Sequence, residues 1–526
     1  MSRMRLTVRR GVHAIFLLQI LVLSALAQGA PRFDYTMAVK DASQHLFHIK
    51  TDVTNVSGKT LDIAIPAWTP GWYMIKPYAA CVQRLSIHDH GKKLPFQALD
   101  KQSYRIDTNN VKALTIEYDY WANDLAVNGA ELTDKHAFFI GTNIFFYALG
   151  HTQGTPSTLK FELPAGWKIA TGLKRGIDPN TYTARDFDNL VDCPTVLGDF
   201  DEDVTTVQGK QIHVIIDPKG SLGEEARAKL KDLIGSIIDS QGKMFGGLPY
   251  EDYFVMYIGG QTLKGGGALE HENSTNIMRP IATGTNPQNL VGVVSHEHFH
   301  AWNVKRLKPA GLMPYNYVRE QYTKELWFAE GVTSYYGDVH QLRAGINTSD
   351  QFVRQMAGQI SGLQRTESRL YTSLSDSSTI TWLSYGSGPG GPPVFAVNYY
   401  NKGEVVGFLL DLEIRGATKN QKSLDDVMRY LWENYYKKGR GYTNEDVEKA
   451  VSQIAGKSFS TFFARYVNGV DEIDYNAFLK NAGWKLEPGD TAAQFRIVEI
   501  EGASNEQKAV RAGLIAVPAK AQGAAR

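Results

Sequence analysis

Only two cysteines, Cys81 and Cys193, occur among 526 residues, which excludes both a disulfide framework and an all-cysteine zinc site. In an oxidising compartment the two could pair, and two buried thiols are the equal alternative. A surplus of one charge is also missing: 56 Lys+Arg stand against 55 Asp+Glu, so bulk charge gives no reason to expect nucleic acid as a partner. Internal repeats are absent, and no run beyond the N-terminus has the length and apolarity of a membrane-spanning helix. With 43% hydrophobic and 21% charged residues the composition is that of a globular chain, and its length allows about three domains.

The one apolar run is N-terminal. Arg3, Arg5, Arg9 and Arg10 precede Ala14 to Leu26, and Ala25-Leu26-Ala27 offers a small-x-small cleavage pattern. The run is shorter than the roughly 20 residues a spanning helix needs, so residues 1–27 read as a signal peptide. The expectation is an exported chain, periplasmic or secreted, with no membrane span after cleavage. Loss of the four arginines takes the net charge from +1 to −3.

Residues 31–206 follow a period of two. Phe47, Ile49, Thr51 and Val53 alternate with His48, Lys50 and Asp52, and turn signals such as Pro70-Gly71 recur, predicting an N-terminal antiparallel β-sandwich. Near Ser221 the period changes. Ser221 and Glu224 offer a capping box ahead of Leu230, Leu233, Ile234, Ile237 and Ile238, and helical patterns dominate to Gly483. Residues 207–485 are therefore expected to form one α+β domain with a helical C-terminal part, and 486–526 a tail too short for an independent domain. Ser384 to Pro393, rich in glycine and proline, reads as a loop.

His296-Glu297-His298-Phe299-His300 lies in an apolar helical stretch, Asn289 to Asn303. The i, i+4 spacing puts His296 and His300 on one face, able to grip one ion, with Glu297 placed to take a proton from water. A catalytic zinc keeps three protein ligands, so a third is needed. Glu320, Glu325 and Glu330 compete. Glu325 sits in the polar run Arg319–Lys324, where a carboxylate is normally solvated. Glu330 follows Leu326-Trp327-Phe328-Ala329, where an unpaired carboxylate is costly and coordination removes that cost. Glu330 is the expected ligand; His298 projects away from the ligand face.

These residues carry a resemblance. The run His296 to Leu307, followed by Leu326 to Tyr336, resembles the glycyl aminopeptidase family of bacterial gluzincin zinc peptidases, and the likeness extends back to Trp68-Thr69-Pro70-Gly71-Trp72-Tyr73. The resemblance implies a thermolysin-like catalytic domain, one Zn2+ per chain on His296, His300 and Glu330, and Glu297 as general base. It makes Gly266-Gly267-Ala268-Leu269-Glu270-His271 the strand-edge motif, with Gly267 and Ala268 binding substrate backbone and Glu270, rather than Glu272, anchoring a free α-amine. It gives Tyr400, of Tyr399-Tyr400-Asn401-Lys402-Gly403, the hydrogen bond to the oxyanion.

The family commonly ends in a peptide-binding PDZ module, of which Ala509 to Leu514 is a reminiscent fragment, and Ser334 stands where thermolysin-like relatives often carry aspartate. The expected activity is removal of small N-terminal residues, glycine or alanine, from peptides with a free N-terminus. The alternatives are a zinc endopeptidase or related zinc hydrolase, and a non-catalytic peptide-binding protein on the same fold.

Overall fold

The computed structural model describes residues 29–386, 397–491 and 493–516. The expected signal peptide, and the Gly/Pro-rich run from residue 387 onward, lie outside the described residues.

The alternation between Phe47 and Val53 places one set of side chains in a core and the other in water. Their strand, Leu46–Thr54, sits in an eight-stranded sheet beside Arg32–Asp41 and Ala113–Trp121. A four-stranded sheet containing Thr60–Ala64 and Ser103–Asp107 supplies Ile63 and Ile106 to the same core. The sandwich is antiparallel except at Arg32–Asp41 and Ser157–Glu162, which run parallel with Tyr35 opposite Leu159. A further five-stranded sheet includes Ala130–Leu132, His136–Phe139 and Thr195–Gly198.

The catalytic sheet runs in the order Asp201–Val207, Lys210–Asp217, Asp252–Ile258, Ser274–Met278, Gly267–Glu270. Its first strand corrects the expected division at Thr206. A hairpin through Gln208 and Gly209, both at positive φ, pairs Asp201–Val207 with Lys210–Asp217, so the change of sheet falls before Asp201. Alternation reads alike in either sheet, which is why periodicity alone misplaced it.

Along Asp252–Ile258, Tyr253, Val255 and Tyr257 face the helical core, while Met256 and Ile258 join Phe138 and Val196 of the five-stranded sheet and Leu125 just past its edge strand. Both faces of the catalytic sheet are covered. Its last strand, Gly267–Glu270, pairs only with Ser274–Met278, leaving the other edge toward the cleft.

Helix α1 (Glu224–Phe245) buries Leu230, Ile234, Ile237 and Ile238 on the helical side of the sheet. Its N-cap is Gly223, without a side-chain cap, so the Ser221–Glu224 capping box does not form. The helices that follow are α2 (Gln288–Phe299), α3 (Val332–Arg343), α4 (Ser349–Arg365) and α5 (Tyr399–Ala417).

The tail is continuous with this unit. A hairpin of Trp484–Pro488 and Phe495–Glu499 precedes α6 (Asn505–Ile515), and Trp484, Val510 and Leu514 are buried in the same core as α2. A boundary at 486 would cut a strand, and the described part of Ala509 to Leu514 belongs to a packed helix. Cys81 and Cys193 are both free thiols. No helix among the described residues is long and apolar enough to cross a membrane.

Candidate active site

Leu290, Val291 and Val294 of α2 are fully buried, and Leu290 accepts a hydrogen bond from Tyr257 at 2.9 Å, which fixes the helix on the sheet. The helix ends at Phe299, earlier than Asn303, with His300 at its C-cap still in helical conformation (φ −60°, ψ −18°). The i, i+4 relation therefore holds at the helix end.

The third side chain arrives on a distorted turn. Trp327–Gly331 is a single π-helical turn leading into α3, a device frequent at functional sites, and Glu330 lies within it, 2% exposed. Close packing requires glycine here: a Cβ on Gly331 would lie 2.5 Å from Cα of Gly403 and 2.6 Å from the carbonyl oxygen of Tyr399. The π turn and α5 thus touch backbone to backbone.

His296, His300 and Glu330 converge. His300 Nε2 lies 3.0 Å from His296 Nε2 and 3.1 Å from Glu330 Oε2, and His296 Nε2 lies 3.4 Å from the same oxygen. His300 Nδ1 donates to the carbonyl of Asn303 at 2.7 Å, and the Asn303 amide donates to Phe328 O and Thr333 Oγ1. His296 Nδ1 lies 3.3 Å from Ser334 Oγ, whose hydroxyl donates to Glu330 O. With both Nδ1 atoms protonated, two Nε2 lone pairs and a carboxylate oxygen point at one another with no donor between them.

Such a cluster calls for positive charge. Burial opposes a charged ring at His300, yet Glu330 beside it pushes its pKa up to about 10. Burial also penalises ionised Glu330, but His300 and His296 hold it below the ordinary carboxylate range. A proton meets the need when the cluster is alone. Two imidazoles and a carboxylate are equally the donor set of a catalytic zinc, so the residues present fit that ion.

Around this centre lie the other expected residues. Glu297 is 7% exposed, and its burial, with Glu270 and Glu330 nearby, pushes its carboxyl up to about 8. On the edge strand, Ala268 packs toward the helical core and Leu269 toward the opposite one, so Glu270 shares Ala268's face and looks toward α2. Atoms of Glu270, Glu297 and His300 lie within 4.8 Å of one another. Burial raises the Glu270 pKa.

Gly267 and Ala268 lie on that same edge strand. Glu272 is beyond the strand end and paired with Arg185 at 2.7 Å, away from the cleft. In the first turn of α5 the Tyr399 hydroxyl is bonded to Thr381 Oγ1, while the half-buried ring of Tyr400 is centred 6.0 Å from that of His296.

One detail departs from the sequence reading. Glu325 is buried, not solvated, and accepts from the backbone N–H of Lys324 and of Asn444, which removes it from the metal by other means. His298, off the ligand face, is hydrogen-bonded between Gln241 and Tyr250, and its burial lowers its pKa to about 3. Asn303, which positions His300 through its carbonyl, was missed; its place three residues after the second histidine was the available signal.

Residues 34–199 match the M61 peptidase N-terminal domain, and residues 289–406 match the M61 glycyl aminopeptidase domain, together more than half of the chain. A solved aminopeptidase N family protein from Idiomarina loihiensis is 25% identical over 86% of this chain and 79% of its own, with a TM-score of 0.80. An M1 zinc metallopeptidase from Deinococcus radiodurans shares the fold at 12% identity and TM-score 0.52, covering 82% and 92%. Yeast LTA4 hydrolase bound to bestatin does so at 14% and 0.50, covering 85% and 67%. No curated protein sequence matches the chain.

Proposed function

The chain belongs to the M61 glycyl aminopeptidase family and is a metallo-aminopeptidase, and we propose that it removes a small first residue, glycine or alanine, from peptides with a free N-terminus, using one zinc ion. The observation that carries this reading is the placement of Glu270, a buried carboxylate on the cleft strand within 4.8 Å of both Glu297 and His300. A carboxylate so close to the metal centre can hold a terminal ammonium only one residue from the reacting bond.

Zinc held by His296, His300 and Glu330 would supply Lewis-acid polarisation of the scissile carbonyl and lower the pKa of the attacking water. Glu297 takes the proton from that water and returns it to the leaving nitrogen. The free edge of Gly267–Glu270 presents backbone N–H and C=O groups that pair with the substrate main chain, Gly267 and Ala268 offering no side chain large enough to block it. Tyr400 donates from its hydroxyl to the developing oxyanion.

The arginine-rich, apolar N-terminus supports export to the periplasm or medium, which N-terminal sequencing of the mature chain near Gln28 would test. For the activity, one tripeptide is assayed with free and with acetylated N-terminus, alongside Glu297→Gln. The expected outcome is hydrolysis of the free form alone, and a variant that keeps stoichiometric zinc but loses turnover. Equal hydrolysis of the blocked peptide would make the enzyme an endopeptidase.

A further inference from the structure

Trp68-Thr69-Pro70-Gly71-Trp72-Tyr73 belongs to the sandwich by sequence, yet its turn lands on the catalytic sheet. Gly71 has φ of +96°, a conformation that favours glycine, and a Cβ placed on it would lie 2.5 and 2.7 Å from the two carboxylate oxygens of Glu270 and 2.6 Å from Leu269 Cδ1. The main chain of Gly71 therefore sits against both oxygens of the proposed amine anchor. The neighbouring Trp72 covers Gly267 on the same strand, at 3.6 Å from where a Cβ of Gly267 would stand.

The turn is held firmly. Trp72 N–H donates to Thr69 O at 2.9 Å, Thr69 Oγ1 pairs with Thr142 Oγ1 at 2.6 Å, and buried Trp68 donates through Nε1 to Asn316 O at 2.8 Å. Among the described residues no side chain hydrogen-bonds the Glu270 oxygens, so packing aims this carboxylate. The charged groups near it are Lys305, which is paired with Asp192 at 2.6 Å, and Glu297, His300 and Glu330 of the proposed metal centre.

We propose that Gly71 is a positioning residue of the amine anchor: the Pro70–Gly71–Trp72 turn is the rigid back wall that presses the Glu270 carboxylate toward His300 and Glu330, leaving only that side open to a substrate ammonium. The inference rests on the aminopeptidase reading. It makes the sandwich a working part of the active site, and it assigns the glycine a reason that its turn alone does not require.

The test is a double-mutant cycle of Gly71→Ala and Glu270→Ala, read as KM and kcat on alanyl p-nitroanilide with zinc content measured in parallel. Gly71→Ala should retain zinc and raise KM on the order of a hundredfold, the scale of an ångström-sized misplacement of a binding group. In the Glu270→Ala background it should add less than twofold. Glu270→Asp, one methylene shorter, should recover part of the loss when combined with Gly71→Ala. Should Gly71→Ala alone fail to fold, since its left-handed backbone and its approach to Leu269 are strained whatever stands at position 270, Glu270→Asp in the parent chain takes its place, withdrawing the carboxylate from the turn, and should raise KM with zinc retained.

Unchanged KM in Gly71→Ala, full additivity of the two changes, or, where Gly71→Ala does not fold, unchanged KM in Glu270→Asp would overturn the proposal. If Glu270→Ala itself leaves KM unaltered, the amine-anchor reading falls, independently of Gly71.

Discussion

His136 opens a strand of the five-stranded sheet and reaches Asp217, the last residue of a catalytic strand, at 2.5 Å through Nδ1, and Glu131 at 2.9 Å through Nε2. The two acids are nearly inaccessible, and the ring is 13% exposed. Burial disfavours the charged imidazole, but the two carboxylates outweigh it and push the pKa from 6.5 to about 9, an interval worth about 3 kcal/mol of stability at most. The pKa is raised on folding, so this stability is fully present below pH 6.5 and disappears as pH climbs through 9.

His136→Gln keeps the volume but can neither carry the charge nor donate to both acids. Urea unfolding at pH 6, with the first transition followed because a multidomain chain need not be two-state, should show the variant less stable by about 3 kcal/mol. The gap should close by pH 10, while zinc content at pH 6 stays unchanged. If the variant and the parent lose stability in parallel between pH 7 and 10, the histidine is not the titrating clamp and the reasoning is wrong.

Two further outcomes follow from the site. Tyr400→Phe removes only the hydroxyl, so kcat should fall about 10²–10³-fold with KM nearly unchanged, as expected for a donor that acts on the oxyanion; a loss confined to KM would assign the ring to binding instead. Gly331→Ala forces a methyl into Gly403 and the Tyr399 carbonyl, and should cost about 1–3 kcal/mol in thermal unfolding and weaken zinc retention against a chelator, because the π turn that carries Glu330 must shift.

The convergence of His296, His300 and Glu330 was legible because its determinants are local. His296 and His300 stand four positions apart at one helix end, and the apolar run before Glu330 marked a carboxylate that needed a positive partner. The same logic failed at Glu325: its polar neighbours Thr323 and Lys324 do not leave it in water but donate to it, and the N–H of Asn444, distant in sequence, completes its burial. Strand alternation revealed the sandwich but could not tell which sheet Asp201–Val207 joins, since its alternation of half-buried and exposed positions reads alike in either. Gly71 was visible only as part of a motif, because the carboxylate it touches belongs to another domain.

The strand boundary and Gly71 share a physical cause at the junction. A catalytic sheet alone would expose Ile215, Met256, Ile258, Leu269 and Met278, all buried against Leu125, Phe138 and Val196. At about 25 cal/mol per Å² of apolar surface, covering that face is a substantial part of what holds the two units together. The contact that hides it also brings the Pro70–Trp72 turn over the edge strand and His136 over Asp217. Stability and substrate register are thus supplied by one interface under the proposed function, so a mutation that loosens the sandwich from the sheet should degrade amine recognition before it touches the proposed metal ligands, which lie at the end of α2 and on the π turn.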